Sequence, residues 1–371
     1  MSAQGQRTLL PHALALIYGV AIAIASLQPF APWIPPAAGV PFWLFSPWPL
    51  RWTRYDVAAN VIAYVPFGLF VALVPRRATP RVRTLLAMSV GIALSFTMET
   101  LQMFLPPRDA SLVDLAANSA GALVGGIAGA SLVRAQRLRR ALSGARNRLF
   151  LPGTVGDVGL ALLALWLVAH VNPGIPLFAV TFDPGQPPLT GNPPVAAAAL
   201  APDVALDFIA AAVTAFQFLG VGLFLSLLVR DPRDIGGAVL VLVGVALLAK
   251  GIAALVVLKP VVWPTWLKPS VTIGMAAGLV VLVAAVFLPR PAQVAACAVT
   301  LLASLLLPIV AVDLPPARAP LTLFNWRYGH LLTFNGLTQS VLLVWPLAAA
   351  GWLFALAGQP HWGQSGNARG L

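Results

Sequence analysis

Charge is what this chain lacks most. Of its 371 residues only 9% are Asp, Glu, Lys or Arg, against about 25% in a water-soluble globule, so a surface that faces water on all sides is excluded. A single cysteine, Cys297, rules out an intrachain disulfide. Walker loops, dinucleotide fingerprints, GxSxG elbows, CxxC pairs and metal-type histidine spacings are missing as well. No cofactor and no metal are therefore expected, and whether the chain is an enzyme stays open. What it has instead is 59% hydrophobic residues and a mean hydropathy of +0.87, the composition of a protein that lives in lipid.

A helix needs roughly 20 apolar residues to cross the hydrocarbon layer. Runs of that order, bounded by Pro, Gly or charge, predict ten transmembrane helices near 11–28, 56–74, 84–105, 113–133, 155–171, 207–229, 236–258, 270–288, 293–312 and 333–357. The runs lack strict apolar/polar alternation, which excludes a β-barrel. The expected fold class is thus all-α, a polytopic helical membrane bundle. Two units are expected: 1–150, four helices with an Arg-rich cytoplasmic linker, and 151–371, six helices.

Orientation follows from the basic residues. With a cytoplasmic N-terminus, fifteen Arg fall in inside segments, with dense clusters at Arg76–Arg83 and Arg134–Arg148, and seven Lys or Arg fall outside. Both termini are therefore expected in the cytoplasm. The net charge of +12 reads as topology signal and headgroup contact, and no nucleic-acid partner is expected. Arg outnumbers Lys 20 to 3, the bias of a GC-rich bacterial genome, so the expected location is the bacterial inner membrane. Ala23-Ile24-Ala25 resembles a signal-peptidase site, but one Arg7 is a thin basic end and the first span reads as an uncleaved anchor. Single cysteines at positions 46, 143 and 191 test the orientation. Impermeant reagents should modify 46 and 191 and spare 143, and the reverse pattern would sink it.

Ionisable groups inside apolar spans are costly, at about 2.5–3.5 kcal/mol each, and mark function by default. Helix 84–105 carries Glu99 and Gln102, three apart and on one face. Arg108 and Ser111 follow in an outside loop. Helix 113–133 opens with Asp114 and, one turn on, Asn118, and helix 56–74 opens with Asp56 and, one turn on, Asn60. The helical rise puts Glu99 roughly 9 Å and the two asparagines roughly 6–8 Å from the outer ends. Arg108 offers a rigid fork for phosphate or carboxylate beside Glu99 and Asp114, either of which could neutralise it. Glu99 and Asp114 are the candidate acid/base groups. Asn60, Glu99, Gln102, Arg108, Ser111, Asp114 and Asn118 make the candidate ligand site, and the competing reading is a network that only ties helices together.

The run from Glu99 through Gln102, Pro106-Pro107-Arg108-Asp109-Ala110-Ser111, Asp114 and Asn118 to Gly121 resembles the VanZ-like membrane family. The Asp56…Asn60…Pro66-Phe67-Gly68 stretch resembles the helix before it. The resemblance covers roughly residues 15–133. It implies a multi-pass cell-envelope protein and a link to glycopeptide-antibiotic resistance, without specifying a reaction.

Secondary candidates lie beyond that segment. Lys250, inside span 236–258, reads equally as a silent structural lysine or as a ligand or counter-ion group, with Glu99 or a ligand phosphate as its partner. His330 and Asn335 open the last helix, and Asp207 to Phe224 loosely echoes Asp56 to Phe70. Three functions compete. The first is binding or processing of a lipid-linked anion, of the polyprenyl-phosphate glycan type, at the outer leaflet. The second is secondary transport with Glu99 as proton carrier, and the third is a non-catalytic assembly partner of other envelope proteins. A transporter needs polar groups spread through the bilayer, whereas these crowd at one side, so lipid or a lipid-linked glycan is the preferred partner.

Overall fold

The computed structural model describes residues 8–28, 30–45, 54–106, 108, 110–172, 175, 177–178, 204–257, 268–310 and 328–359, with the side chains at 55–56, 204–207, 256–257, 309–310 and 328–336 outside the description. Among these residues eleven α-helices form: α1 (Leu10–Leu27), α2 (Arg54–Leu73), α3 (Pro80–Gln102), α4 (Leu112–Arg134), α5 (Gln136–Leu149), α6 (Gly153–His170), α7 (Val204–Leu228), α8 (Ile235–Val257), α9 (Pro269–Ala285), α10 (Arg290–Val310) and α11 (Tyr328–Ala357).

Eight helices are long and apolar enough to cross a membrane, and two apolar stretches, Val57–Leu73 of α2 and Pro269–Ala285, are shorter. Each expected span thus has its helix. At 1.5 Å per residue the 17 residues of α9 reach about 25 Å, short of a hydrocarbon layer about 30 Å thick. The eleventh helix, α5, is the basic segment expected as a linker.

The chain divides into two compact units, Met1–Leu165 with Tyr328–Leu337, and Trp166–Arg327 with Thr338–Leu371. The division falls inside α6 and α11, whereas the sequence reading divides the chain at residue 150. Asp157 explains why the start of α6 goes with the first unit. Its buried carboxylate accepts the Leu9 backbone N–H (2.6 Å) and the Thr8 hydroxyl (3.0 Å), and it pairs with Arg146 of α5. The first N–H groups of a helix have no partner within it, and as Leu9 at the N-cap has no side chain to offer, Asp157 caps α1 together with Thr8, whose hydroxyl accepts the Leu10 N–H (3.3 Å).

In the first unit the closest helix approach is made by small residues. A Cβ on Gly121 would strike the Val61 carbonyl, and one on Gly125 the Val65 carbonyl, so α4 meets the α2 backbone without side chains between. Lipid offers no hydrophobic drive for helix association, and such close backbone contact is what replaces it. Ala122 then sits in a core with Ile22, Tyr64, Phe67, Val71, Ala72 and Ala87. At the far end of α3, Arg83 turns inward and donates to the carbonyls of Ala72 (2.9 Å), Arg76 (3.2 Å) and Ala78 (3.1 Å), closing the exit from α2.

The second unit is built around α7, 61% of whose span is buried. Gly274 and Gly278 of α9 let that helix reach the Ala211 and Ala215 carbonyls. From α10, the Cys297 thiol donates to the Gly220 carbonyl (3.3 Å) and the Ser304 hydroxyl to Gln217 Oε1 (2.7 Å). Trp352 of α11 packs on Phe224 with ring centroids 4.4 Å apart. At the end of α6, His170 stacks on Trp166 at 4.1 Å, with Phe178 against Trp166 and Phe218.

Candidate functional site

The polar groups of the first unit gather where α3 ends and α4 begins. Proline at 106 disfavours helical geometry in the residue before it, and α3 stops at Gln102. The chain then turns through Met103–Leu105 and restarts at Ser111, whose side chain caps α4 by accepting the Val113 N–H (3.1 Å). The Ser111 backbone N–H in turn donates to Glu99 Oε2 (2.8 Å). Glu99 is 3% exposed.

Two further bonds join the helices. Asn60 of α2 donates to Asp114 of α4 (2.6 Å), and Asn118 of α4 donates to the Ser95 hydroxyl of α3 (3.0 Å). Tyr64, on α2, is buried close enough to Ser95, Glu99 and Asp114 to feel all three. The second amide atom of Asn118, Oδ1, is buried without a hydrogen-bond partner among the described residues. Such an atom is costly to bury, and it leaves an acceptor open within the cluster.

Because α3 ends at Gln102, Glu99 lies only three residues, roughly 4.5 Å, from its end, while Asn60 and Asn118 lie six residues, roughly 9 Å, into α2 and α4. The depths expected from sequence are thus reversed. The asparagines form the deeper layer and Glu99 the shallower one.

Arg108 corrects another expectation. Its guanidinium bonds to neither carboxylate: Nε donates to the Gln28 carbonyl (2.8 Å) and one terminal nitrogen to the Ala25 carbonyl (3.1 Å), both at the C-terminal end of α1. Carbonyls at a helix end lack internal partners and carry partial negative charge, so a cation fits there. Glu99 and Asp114 act on Arg108 through the field: burial lowers its pKa, and the two carboxylates offset only part of that fall. Two of five guanidinium donors are used among the described residues, and the residue is half-buried. Gln102 likewise turns to α1, donating to the Ser26 carbonyl (2.8 Å). Trp43 is buried against Phe96 and donates to the Thr100 hydroxyl (3.2 Å), so residues 30–45 fold over the end of α3.

Of the secondary candidates, Lys250 finds partners other than those expected. It is fully buried, and its ammonium donates to the carbonyls of His170, Asn172 and Ile175 at the end of α6. The lysine closes that helix as Arg108 closes α1 and Arg83 closes α2. The backbones of Asp56, His330 and Asn335 lie in α2 and α11, but their side chains, like that of Asp207, lie outside the described residues. The sequence reading passes over Asp157 and Arg83. An ionisable group at the start of an apolar run was the signal for the first, and nothing local marked the second, which looks like any topology arginine.

The site groups the half-buried Arg108, Ser111, Asp114 and Asn60 with the buried Glu99, Ser95, Asn118 and Tyr64. It can accept an anion on the arginine and hold a proton on Glu99. Residues 7–133 match the VanZ/LLP1 family model. No curated protein matches the chain, and neither does any solved structure.

Proposed function

We propose, from the VanZ-like segment at 7–133 of a multi-pass membrane protein, that Arg108 binds the anionic headgroup of a lipid-linked molecule, of the polyprenyl-phosphate glycan class, at the outer leaflet of a bacterial inner membrane. Glu99 is its protonatable neighbour. The observation that carries this reading is the guanidinium itself. It is half-buried and oriented by two α1 carbonyls, with donors to spare beside a buried carboxyl. A phosphate met by such a fork gains charge-assisted bonds stronger than neutral ones.

The sign of the pH dependence follows from charge. With Glu99 and Asp114 both ionised, the two carboxylates outnumber Arg108 and the cluster as a whole repels an anion; protonating Glu99 removes one negative charge and adds an O–H donor. Binding therefore strengthens as pH falls through the titration of Glu99. Glu99→Gln, which mimics the neutral acid, should bind at all pH values and lose the dependence.

The test is binding of a polyprenyl phosphate to the purified full-length protein in detergent. Losing charge-assisted bonds of about 1.5–3 kcal/mol makes Arg108→Ala about 10- to 100-fold weaker. Arg108→Lys should be nearly as weak because the fork is gone. Gly236→Ala on α8, where nothing lies within 4 Å of the added carbon, leaves the cluster intact and should bind as wild type. Equal affinity in all four variants would refute the reading and favour the second one, a non-catalytic assembly partner. That alternative draws on the internal pairing of Asn60 with Asp114 and of Asn118 with Ser95.

A further inference from the structure

The segment between α4 and α6 is a 14-residue helix with no buried residue and no acidic one, in which Leu138 and Leu142 are more than half exposed. At about 100° per residue, Leu138, Leu142, Ala145 and Leu149 fall within about 60° of one another. Arg137 and Arg148 flank this stripe on one side, Arg139 and Arg146 on the other, and Arg140, Ser143 and Asn147 lie opposite. A helix with an apolar stripe edged by arginines suits a bilayer surface, where the stripe sinks to the acyl boundary and the guanidinium groups reach the phosphates.

The tether makes that surface unavoidable. Only Ala135 separates α5 from α4, and only Phe150–Pro152 separate it from α6; both flanking helices are apolar enough to cross the membrane. The helix is about 21 Å long and held at both ends at the level where its neighbours leave the lipid. Arg146 is further pinned by Asp157, whose side chain is fully buried.

We propose that α5 is a surface-docking helix that seats its leucine stripe in the headgroup layer of the protein's own membrane and selects anionic lipid through Arg137, Arg139 and Arg148 beside the stripe, with Arg140 adding to the positive field from the opposite face. Charge complementarity commits the stripe to this occupant: four arginines without an acidic neighbour on the helix, facing a surface that concentrates phosphate. A plain topology signal needs only the count of positive charges. It requires neither the helix nor the stripe.

The test uses the full chain with Cys297 replaced by Ser and one cysteine at position 142 or 143, each carrying an environment-sensitive fluorophore. The protein is reconstituted in phosphatidylcholine alone or in an equal mixture with phosphatidylglycerol, with iodide on both sides. The label at 142 should be quenched in phosphatidylcholine and protected in the mixture, and the label at 143 quenched in both. Each basic side chain near an anionic surface shifts the docked-to-lifted ratio about fivefold. Replacing the four arginines by glutamine, which leaves Arg146 in its ion pair, should therefore erase the difference, and high salt should weaken it in the parent. The comparison in the parent decides by itself should the four-fold variant fail to insert. Equal quenching at 142 in the two compositions, or protection at 143 matching that at 142, would overturn the proposal.

Discussion

Gly125→Leu should leave no folded protein to purify. The Gly125 Cα faces the Val65 carbonyl so closely that even a methyl group would strike it and the Leu69 nitrogen. Both obstacles are backbone, so no rotamer change relieves them and α2 must move off α4. The alanine variant should already cost about 2–3 kcal/mol by overpacking. A leucine would hold the helices apart along the face on which Gly121 also relies, and its cost should exceed about 4 kcal/mol, the range of exceptional substitutions. Thermal unfolding in detergent, read by loss of the monodisperse peak, measures the alanine variant, and the yield of monodisperse protein after extraction reads the leucine one. Gly244→Ala on α8, where nothing lies within 4 Å of the added carbon, is the control and should melt with wild type. If Gly125→Ala also melts there, the close approach of α2 and α4 is wrong.

The second large effect is expected at Asp157. Its side chain is fully buried while that of Arg146 is 13% exposed, and three donors from two segments, Thr8-Leu9 and α5, meet on it. Breaking a buried pair by deleting one partner costs about 3–5 kcal/mol. Arg146 can reach water, so Asp157→Ala should fall near the low end, about 3 kcal/mol. Asp157→Asn keeps an oxygen for the Leu9 N–H and the Thr8 hydroxyl and loses only the ion pair, so it should fall between the alanine variant and wild type. The same unfolding assay reads the order. An alanine variant as stable as the asparagine one would mean that the cap on α1 carries no weight.

These two positions also separate what can be read along the chain from what cannot. Hydropathy is additive over neighbours, so the ten apolar runs, the all-α class and the membrane setting followed from the sequence alone, to within several residues at the ends. The polar residues between Asn60 and Asn118 were legible for a related reason. In lipid each such group is costly enough to stand out wherever it occurs, and their ordered spacing carried the VanZ-like resemblance that the family match supports over residues 7–133.

Partners were a different matter, since a long cationic side chain chooses among acceptors that only the packed helices bring within reach. Arg108 meets carbonyls 80 and 83 residues earlier, and Lys250 meets carbonyls 75 to 80 residues earlier. Sequence reasoning matched each cation to a carboxylate or phosphate because charge is what a sequence displays; the backbone carbonyls at helix ends carry no letter of their own. The end of α3 shifted for a similar reason, as its last turn gives way at Gln102 to let Ser111 cap α4 and Glu99 receive its N–H. The chain thus determined by composition and spacing which residues would be buried in a membrane and which would be expensive there. The tertiary structure alone decided which of them close helices, as Arg83, Arg108 and Lys250 do, and which pair across α2, α3 and α4, as Asn60 does with Asp114 and Asn118 with Ser95.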